Sequence, residues 1–407
     1  MTTINEISIK VFSWNFGKLN SNKLECIMKN VFDNTDASNT IYVIGLQEIS
    51  GSSSLREINQ YFESNKPASH TMKHGTKSSS MFTKFELATF VIYPIDINLP
   101  YITFNHKTIP SNDSFGANIV DTKGYLWADF NLNGINYTAV NIHLPFQNEE
   151  FSLKNFKLLK ETFKDKKNVI IFGDYNTRSK FDDTCINSDN CNVDFEKNAK
   201  YSTDDVSTKM NTCSEPSNDI VDCSDIKENL IKYDYLNESK EFNEYKEDKI
   251  TFLPTYKIND ENGAYSLVKN HKYRLPGYAD RILVRGPNLT IVPGSYKKID
   301  CTGNDHFPIM LSIKLNNMRT WEEYVGGKIN SIRVNRYKST NKNRKHKNKS
   351  IRKKSIRKNN MKRAYKNVDN AYKELSGSSF KNAIKSLKAD LKLKYTNKIS
   401  KTRNKSL

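Results

Sequence analysis

Six apolar runs along the sequence end or begin at the same few polar residue types. Asn15 follows Val11-Phe12-Ser13-Trp14, Gln47-Glu48 follows Ile41–Leu46, and Asn141 and His143 interrupt Ala139–Leu144. Asp174 and Asn176 follow Val169–Phe172, Asp280-Arg281 precede Ile282-Leu283-Val284, and Asp305-His306 precede Phe307-Pro308-Ile309. Taken singly, an Asn or Asp beyond a strand is a turn residue, and Asn20, Asn133 and Asp129 are read that way. His70, His74, His106, His271 and His346 are read as surface or core residues. Six such segments together carry more information. Strand ends converge on one rim of a sheet sandwich, so these groups can meet in one cleft.

The inventory suits hydrolysis of a phosphate ester. A hard divalent cation takes oxygen ligands, and magnesium uses one or two carboxylates plus water and substrate oxygens; Glu48 and Asn15 supply that set. A carboxylate must orient or deprotonate the attacking water, and Asp174 is placed for it. Charge builds on the phosphoryl oxygens, so donors such as Asn176, His143 and His306 should face them. A histidine in this role needs a carboxylate to fix its tautomer, and Asp280 or Asp305 could serve His306.

The elements that must position these groups are legible as patterns. Ser8–Trp14, Ile41–Leu46, Ala88–Tyr93, Tyr125–Phe130, Asn136–Ile142, Val169–Phe172, Arg281–Val284 and Ile309–Ile313 read as strands. Leu24, Ile27, Met28, Val31 and Phe32 share one face of a helix, with Asn22 and Glu25 spaced as a capping box. Phe156, Leu159 and Phe163 mark a second helix. Many strands with a few interspersed helices suggest a layered α/β sandwich, two sheets face to face with helices outside. Residues 181–226 are poor in apolar residues and are expected as a polar surface-loop insertion.

Several segments resemble a known family. Order and content resemble the endonuclease/exonuclease/phosphatase superfamily, which implies a four-layered α/β sandwich of two mostly antiparallel sheets packed face to face with outer helices. Within it, Phe172-Gly173-Asp174-Tyr175-Asn176-Thr177-Arg178 and Arg274-Leu275-Pro276-Gly277-Tyr278-Ala279-Asp280-Arg281 resemble the inositol polyphosphate 5-phosphatases. So do Pro254-Thr255-Tyr256-Lys257 and the turn Thr122-Lys123-Gly124. The resemblance covers roughly residues 6–315. It implies magnesium-dependent hydrolysis of the 5-phosphate of a phosphoinositide or soluble inositol polyphosphate. It also implies that Tyr256, Lys257, Lys272, Arg274 and Lys123 contact substrate. Thr122, Thr177, Gly277 and the Pro145-Phe146 segment depart from the family pattern; none of these removes a metal or water-activating group. Two alternatives stay open: a nuclease on the same scaffold, and a binding module that has lost activity.

Charge divides the chain. Residues 328–407 hold 27 of the 64 Lys and Arg but three of the 45 Asp and Glu, so the tail carries +24 and the first 327 residues −5. A catalytic domain over 1–317 and a basic, largely disordered extension over 318–407 are expected. Within the extension, Phe380, Ile384, Leu387 and Leu391 recur at helical spacing among lysines, which predicts an amphipathic helix over 379–396. Such a helix fits an anionic membrane surface; a nuclear address or nucleic acid bound through the tail remain competing readings. No run is long and apolar enough to span a membrane, and no leader precedes the first strand, so the expected location is cytoplasmic, with the membrane surface and the nucleus as alternatives. Cys185, Cys191, Cys213 and Cys223 match no zinc-ligand spacing and are read as solvated thiols.

Overall fold

A computed structural model of the chain describes residues 7–32, 37–78, 85–97, 99, 101–109, 123–146, 148–179, 192–195, 199–214, 224–265 and 275–316. Two units divide along the chain, Met1–Trp321 and Glu322–Leu407, and every described residue lies in the first. The basic tail, the 379–396 helix, Thr122, Lys272, Arg274 and three of the loop cysteines (Cys185, Cys191, Cys223) lie outside the described residues. Among the described residues, no helix is long and apolar enough to cross a membrane.

Strands β1 (Ser8–Asn15), β2 (Thr40–Ser50), β3 (His70–Ser78), β4 (Phe85–Pro94), β12 (Leu289–Ile291), β13 (Lys297–Lys298) and β14 (Ile309–Leu315) form a seven-stranded sheet, ordered β12-β14-β1-β2-β4-β3 with β13 beside β14. Strands β5 (Ile102–Thr108), β6 (Gly124–Leu132), β7 (Ile135–His143), β8 (Val169–Asp174) and β11 (Asp280–Arg285) form a five-stranded sheet, ordered β11-β8-β7-β6-β5. In these two sheets β1–β2 and β7–β8 pair in parallel and the other pairings are antiparallel. All eight strands anticipated from the apolar runs are present.

Alternation builds the layers. Ile9, Val11, Val43 and Val91 of one sheet meet Ala128, Ala139, Ile170, Phe172 and Ile282 of the other in a shared core. The opposite face of the first sheet, with Phe12, Trp14, Ile44 and Leu46, is covered by α1 (Ser21–Val31) and α2 (Gly51–Asn65). The opposite face of the second, with Val140, Ile142 and Ile171, is covered by Phe156, Leu159 and Phe163 of α3 (Glu149–Phe163). Helix, sheet, sheet, helix is the four-layered sandwich. Gly45 lets the two sheets close, because a Cβ there would lie 2.3 Å from the Phe172 ring; at that distance something must shift.

Four local features differ from the sequence expectation. Helix α1 is capped by Asn20, whose side chain accepts from the Lys23 N–H at 2.9 Å, and not by an Asn22–Glu25 box; the chain turns into the helix two residues earlier, and an N-cap oxygen serves the N–H three residues on. Asp129 lies within β6 instead of a turn, accepting from Thr138 and Lys166. Strands β3 and β5 carry few large apolar residues, and α2 buries only Ile58 and Phe62, so none shows the strong periodicity that reveals its neighbours. The stretch 181–226 holds, in its described part, a hairpin β9 (Asn192–Phe195) with β10 (Ala199–Ser202), a helix α4 (Thr203–Ser214) and the start of α5 (Ser224–Lys232). Val206 and Met210 of α4 enter the inter-sheet core, and Asn211 exchanges two hydrogen bonds with the Tyr265 backbone. Two apolar residues one turn apart suffice to dock a helix whose overall composition is polar.

A disulfide joins Cys26 of α1 to Cys301, 275 residues on. Cys213 is also disulfide-bonded, so the expectation of a solvated thiol is corrected at that position. The buried Lys23 sits beside the Cys26–Cys301 link, donating to the carbonyls of Phe16 and Lys18 at 2.6 and 2.7 Å.

Candidate active site

Period-two alternation aims the polar residues inward. On β1, Ile9, Val11, Ser13 and Asn15 share a face; on β7, Ala139, Asn141 and His143; on β8, Ile170, Phe172 and Asp174; on β11, Asp280 and Ile282. Each polar residue ends an inward-facing apolar series, and register brings them level. Asn15 pairs with Gln47, His143 with Asp174, and Asp174 with Asp280. Deeper between the sheets, Gln47 donates to Ser13 Oγ at 3.1 Å and Asn141 Oδ1 at 2.7 Å, and Asn141 donates to the Ala88 carbonyl at 2.9 Å. These bonds bridge the two sheets just below the cleft.

Glu48 breaks the alternation. Strict pleating would send it outward with Ile44 and Leu46. The β2–β4 register shifts between Leu46 and Ile49, and Glu48 adopts φ 55, a left-handed conformation that costs a non-glycine residue of order 1–3 kcal/mol. The bulge turns the carboxylate into the cleft, 3.2 Å from His143 Nε2 and 3.3 Å from Lys123 Nζ. Asn176 is also left-handed, at φ 49.

Asp174 is the hub. Its Oδ2 accepts from Asn15 Nδ2 at 3.1 Å and lies 3.4 Å from both Asn176 Nδ2 and His143 Nε2, and 4.0 Å from His306 Nε2. Its Oδ1 accepts from the Asn176 N–H at 2.7 Å. Burial alone would raise its pKa, but His306, His143 and Lys123 hold it well below the usual carboxylate range. Burial is likewise outweighed at Glu48, where the hydrogen bond and charge of His143 and the ammonium of Lys123 keep the group ionised. Lys123 also contacts His143 Nε2 directly.

Of the two carboxylates that could serve His306, the structure selects Asp280: Oδ2 lies 2.9 Å from His306 Nδ1. Burial works against the charged imidazole, yet Asp280 and Asp174 raise His306 to about 10. Burial lifts Asp280, and His306 draws it back. Asp305 points elsewhere, 3.6 Å from Lys257 Nζ. Asn176, expected as a donor toward substrate, spends its amide on the Leu144 carbonyl at 2.8 Å and on Asp174.

The neighbouring lip carries two of the expected substrate contacts. The Tyr256 ring packs on His306 with centroids 4.5 Å apart, and Lys257 Nζ lies 5.9 Å from the Tyr256 ring centre. Arg178 reaches the same lip, with its guanidinium 4.4 Å from the Phe146 ring and 5.6 Å from that of Tyr256. Helix α4 braces the segment from behind through Tyr265, whose hydroxyl donates to the Pro254 carbonyl at 2.6 Å. Asn304, which sequence reasoning passed over, donates to the Asn15 carbonyl and lies 3.3 Å from Asn15 Oδ1. Its place in Asn304-Asp305-His306, ahead of a strand, was the available signal.

A two-sheet sandwich with a His, Asp and Asn cluster at one strand rim defines a class. The family model for endonuclease/exonuclease/phosphatase family 2 matches residues 12–312, and the chain belongs to that family. Among curated proteins it is 36% identical over 98 residues to inositol-1,4,5-trisphosphate 5-phosphatase 1 of Schizosaccharomyces pombe, covering 23% of this chain and 9% of that protein. It is 34% identical over 84 residues to polyphosphatidylinositol phosphatase INP53 of Saccharomyces cerevisiae, covering 20% and 7%. The matched stretches thus span less than a tenth of these relatives. Among solved structures it is similar to the inositol polyphosphate 5-phosphatase domain of SPsynaptojanin, in complex with inositol (1,4)-bisphosphate and calcium. There the TM-score is 0.51 and the identity 19%, over 81% of this chain and 93% of that one. A Cimex nitrophorin in its ferrous NO complex shares the fold nearly as well, with a TM-score of 0.50 and 17% identity over 76% and 98%. The fold therefore leaves the chemistry open, and the site must decide it.

Proposed function

We propose that this chain is a phosphoric monoester hydrolase that removes the 5-phosphate of an inositol phosphate headgroup by metal-assisted attack of water. The convergence of Asn15, His143, Asn176 and His306 around one ionised carboxylate, Asp174, carries this reading.

Magnesium fits the rim. Glu48 is ionised, partly exposed, and already gathers Lys123 and His143 against it, so that point of the cleft draws positive charge; Glu48 and Asn15 would hold the ion with hard oxygens. Asp174, Asp280 and His306 also bring ligand atoms within 4.8 Å of one another, but Asp280 is committed to His306, which makes the trio a proton-holding group. When bound, magnesium supplies positive charge to the phosphoryl oxygens and the leaving oxygen. Asp174, fixed by Asn15 and Asn176, orients the attacking water; a carboxylate this acidic serves as an acceptor more than as a strong base. His306, held cationic by Asp280, donates to a phosphoryl oxygen as charge builds there. His143 does the same from the opposite sheet. Tyr256 and Lys257 receive a neighbouring ring phosphate, a charge-assisted contact.

Phosphate release from soluble inositol phosphates, phosphoinositide vesicles and single-stranded nucleic acid, with magnesium or with chelator, tests the proposal. Release from the 5-phosphorylated headgroup with magnesium alone is expected. Efficient cleavage of nucleic acid with none of any inositol phosphate would replace the reading by a nuclease.

A further inference from the structure

The two strand ends that carry Asp174 and Asp280 are also joined from behind, by buried groups outside the cleft. Arg281 follows Asp280 on β11 and faces the other way, among residues that cover the outer face of the five-stranded sheet. It is 1% exposed. Its Nε donates to Glu247 Oε1 at 2.7 Å, one terminal nitrogen bonds Glu247 Oε2 and also reaches Asn237 Oδ1 at 3.1 Å, and the other lies 3.4 Å from Asp234 Oδ1. The Tyr296 hydroxyl donates to Glu247 Oε1 and accepts from the Ile282 N–H, both at 3.1 Å.

Asp234 links this cluster to the other strand. Its Oδ1 accepts from Thr177 Oγ at 2.9 Å and from the Leu236 N–H at 3.0 Å. The Tyr235 N–H donates to the Arg178 carbonyl at 3.0 Å, and Asp234 forms a β-bridge with Ser179. Thr177 directly follows Asn176, whose left-handed backbone points its N–H at Asp174 Oδ1. Burial lifts Asp234 to about 7, against Arg281, Thr177 and the Leu236 N–H. A carboxylate so desolvated depends on each of those partners.

We propose that Thr177, Asp234 and Arg281 act as a positioning chain, fixing the turn at Asn176 and the start of β11 at Asp280 relative to each other and so holding Asp174 and His306 in register. The proposal rests on Asp174, Asn176, Asp280 and His306 being the reacting centre. None of the three touches substrate; each acts through the residue beside it.

Removing Arg281 would strand the buried Asp234 and the partly buried Glu247 and endanger the fold, so the test uses the other end of the chain. Thr177→Val deletes the hydroxyl at nearly constant shape, Thr177→Ser restores it, and Asp234→Asn weakens the pairing with Arg281 while keeping an oxygen for Thr177. Two readouts are taken on the full-length protein. The first, hydrogen–deuterium exchange of peptides spanning 172–179 and 278–285, needs no substrate. Thr177→Val should accelerate exchange in both segments, and Thr177→Ser should not. The second is steady-state phosphate release from a soluble inositol phosphate with magnesium. Misplacement of about 1 Å costs up to roughly a hundredfold in rate, so Thr177→Val should lower kcat between about tenfold and a hundredfold. KM should stay within about twofold, and Thr177→Ser should recover most of kcat. If Thr177→Val fails to fold, Asp234→Asn must show the same coupled exchange and the same kcat-only loss. Wild-type exchange or kcat in the folded variant, or equal damage in Thr177→Ser, overturns the proposal. An inactive wild type would sink the proposed function alone, because the exchange experiment still reads the coupling.

Discussion

Asp174, Asp280, His143 and His306 keep 5% or less of their side chains exposed, whereas Glu48, Lys123, Lys257 and Asp305 keep 19–37%. The buried four bond largely to one another and to their cleft neighbours, Asp280 Oδ2 to His306 and Asp174 to His143, although Asp280 Oδ1 is buried with no hydrogen-bond partner among the described residues. The rim four make looser contacts, with Lys257 and Asp305 at 3.6 Å and Lys123 shared between Glu48 and His143. Low dielectric makes the inner contacts strong and their geometry unforgiving. Exposed ion pairs are worth about 0–1 kcal/mol, so rim groups can exchange partners when an ion or a phosphate arrives. The cleft thus separates a fixed half from an adaptable one; on the proposed function the first would handle water and proton and the second would receive metal and substrate, and substitutions should sort accordingly.

The largest effect belongs to the fixed half. Asp174→Asn leaves Asn15 and Asn176 with an amide to bond and removes the charge proposed to orient water. Loss of a group in this role costs on the order of 10²–10⁴ in rate, expected in kcat with KM nearly unchanged. A variant within a few-fold of wild type would show that another carboxylate does the work. Next comes Glu48→Gln on the rim, where about a hundredfold loss at limiting magnesium is expected, within the range that altered metal sites show. Because the rim adapts, excess magnesium should restore part of the rate. A magnesium titration superimposable on that of wild type would place the ion elsewhere.

Lys257→Ala should do less. A charge-assisted hydrogen bond contributes about 1.5–3 kcal/mol, and 1.4 kcal/mol is a factor of ten, so a loss of about tenfold or somewhat more is expected on a 4,5-bisphosphorylated ring. A phosphomonoester without a neighbouring phosphate should show no difference between variant and wild type. Equal losses on both would assign Lys257 to the fixed half, through Asp305 and His306.

These two halves were not equally legible in the sequence. Asn15, His143, Asp174 and Asp280 each end an apolar series, and period two is a strong signal, so their convergence followed from strand patterns alone. Glu48 was found by its type, but its aim depends on a bulge that no periodicity announces. The partner of His306 could not be chosen between Asp280 and Asp305, because adjacency in sequence competed with contact across the cleft between the two sheets, and the contact between sheets prevailed. Arg281, Glu247 and Asp234 form one largely buried ion cluster from segments far apart in the chain, and Glu247, its partly exposed member, stands in a stretch that reads as polar surface. Composition likewise hid α4, whose Val206 and Met210 are buried among charged and hydroxyl neighbours.

The smallest expected effect is a dependence of stability on pH, and it isolates the fixed half because it needs no substrate. In chelator, His306 is raised from its ordinary 6.5 to about 10 by Asp280 and Asp174, against burial. A raised pKa means that the native state binds a proton more tightly than the unfolded chain. Its contribution is therefore complete below about pH 6.5, declines as pH rises, and is gone above about 10. Asp174 and Glu48 are depressed, so their contributions are complete above their ordinary values near 4 and are lost as pH falls through that region. Asp280, raised by burial, tilts the acid limb the other way and blunts it. Thermal midpoints should thus fall between pH 6.5 and about 8, with a slope of at most about 1.4 kcal/mol per pH unit for one proton; above that, Lys23, lowered to about 8 by burial, works in the opposite sense. His306→Asn removes the titrating group and should flatten that limb; because His306 also holds Asp174 down, the acid limb should shrink to what Glu48 and the remaining Asp174 partners contribute. A wild-type limb that is already flat, or one unchanged in the variant, would mean that His306 is neutral in the folded protein. The donor to the phosphoryl oxygen would then have to be His143 or Lys123 at the opposite wall.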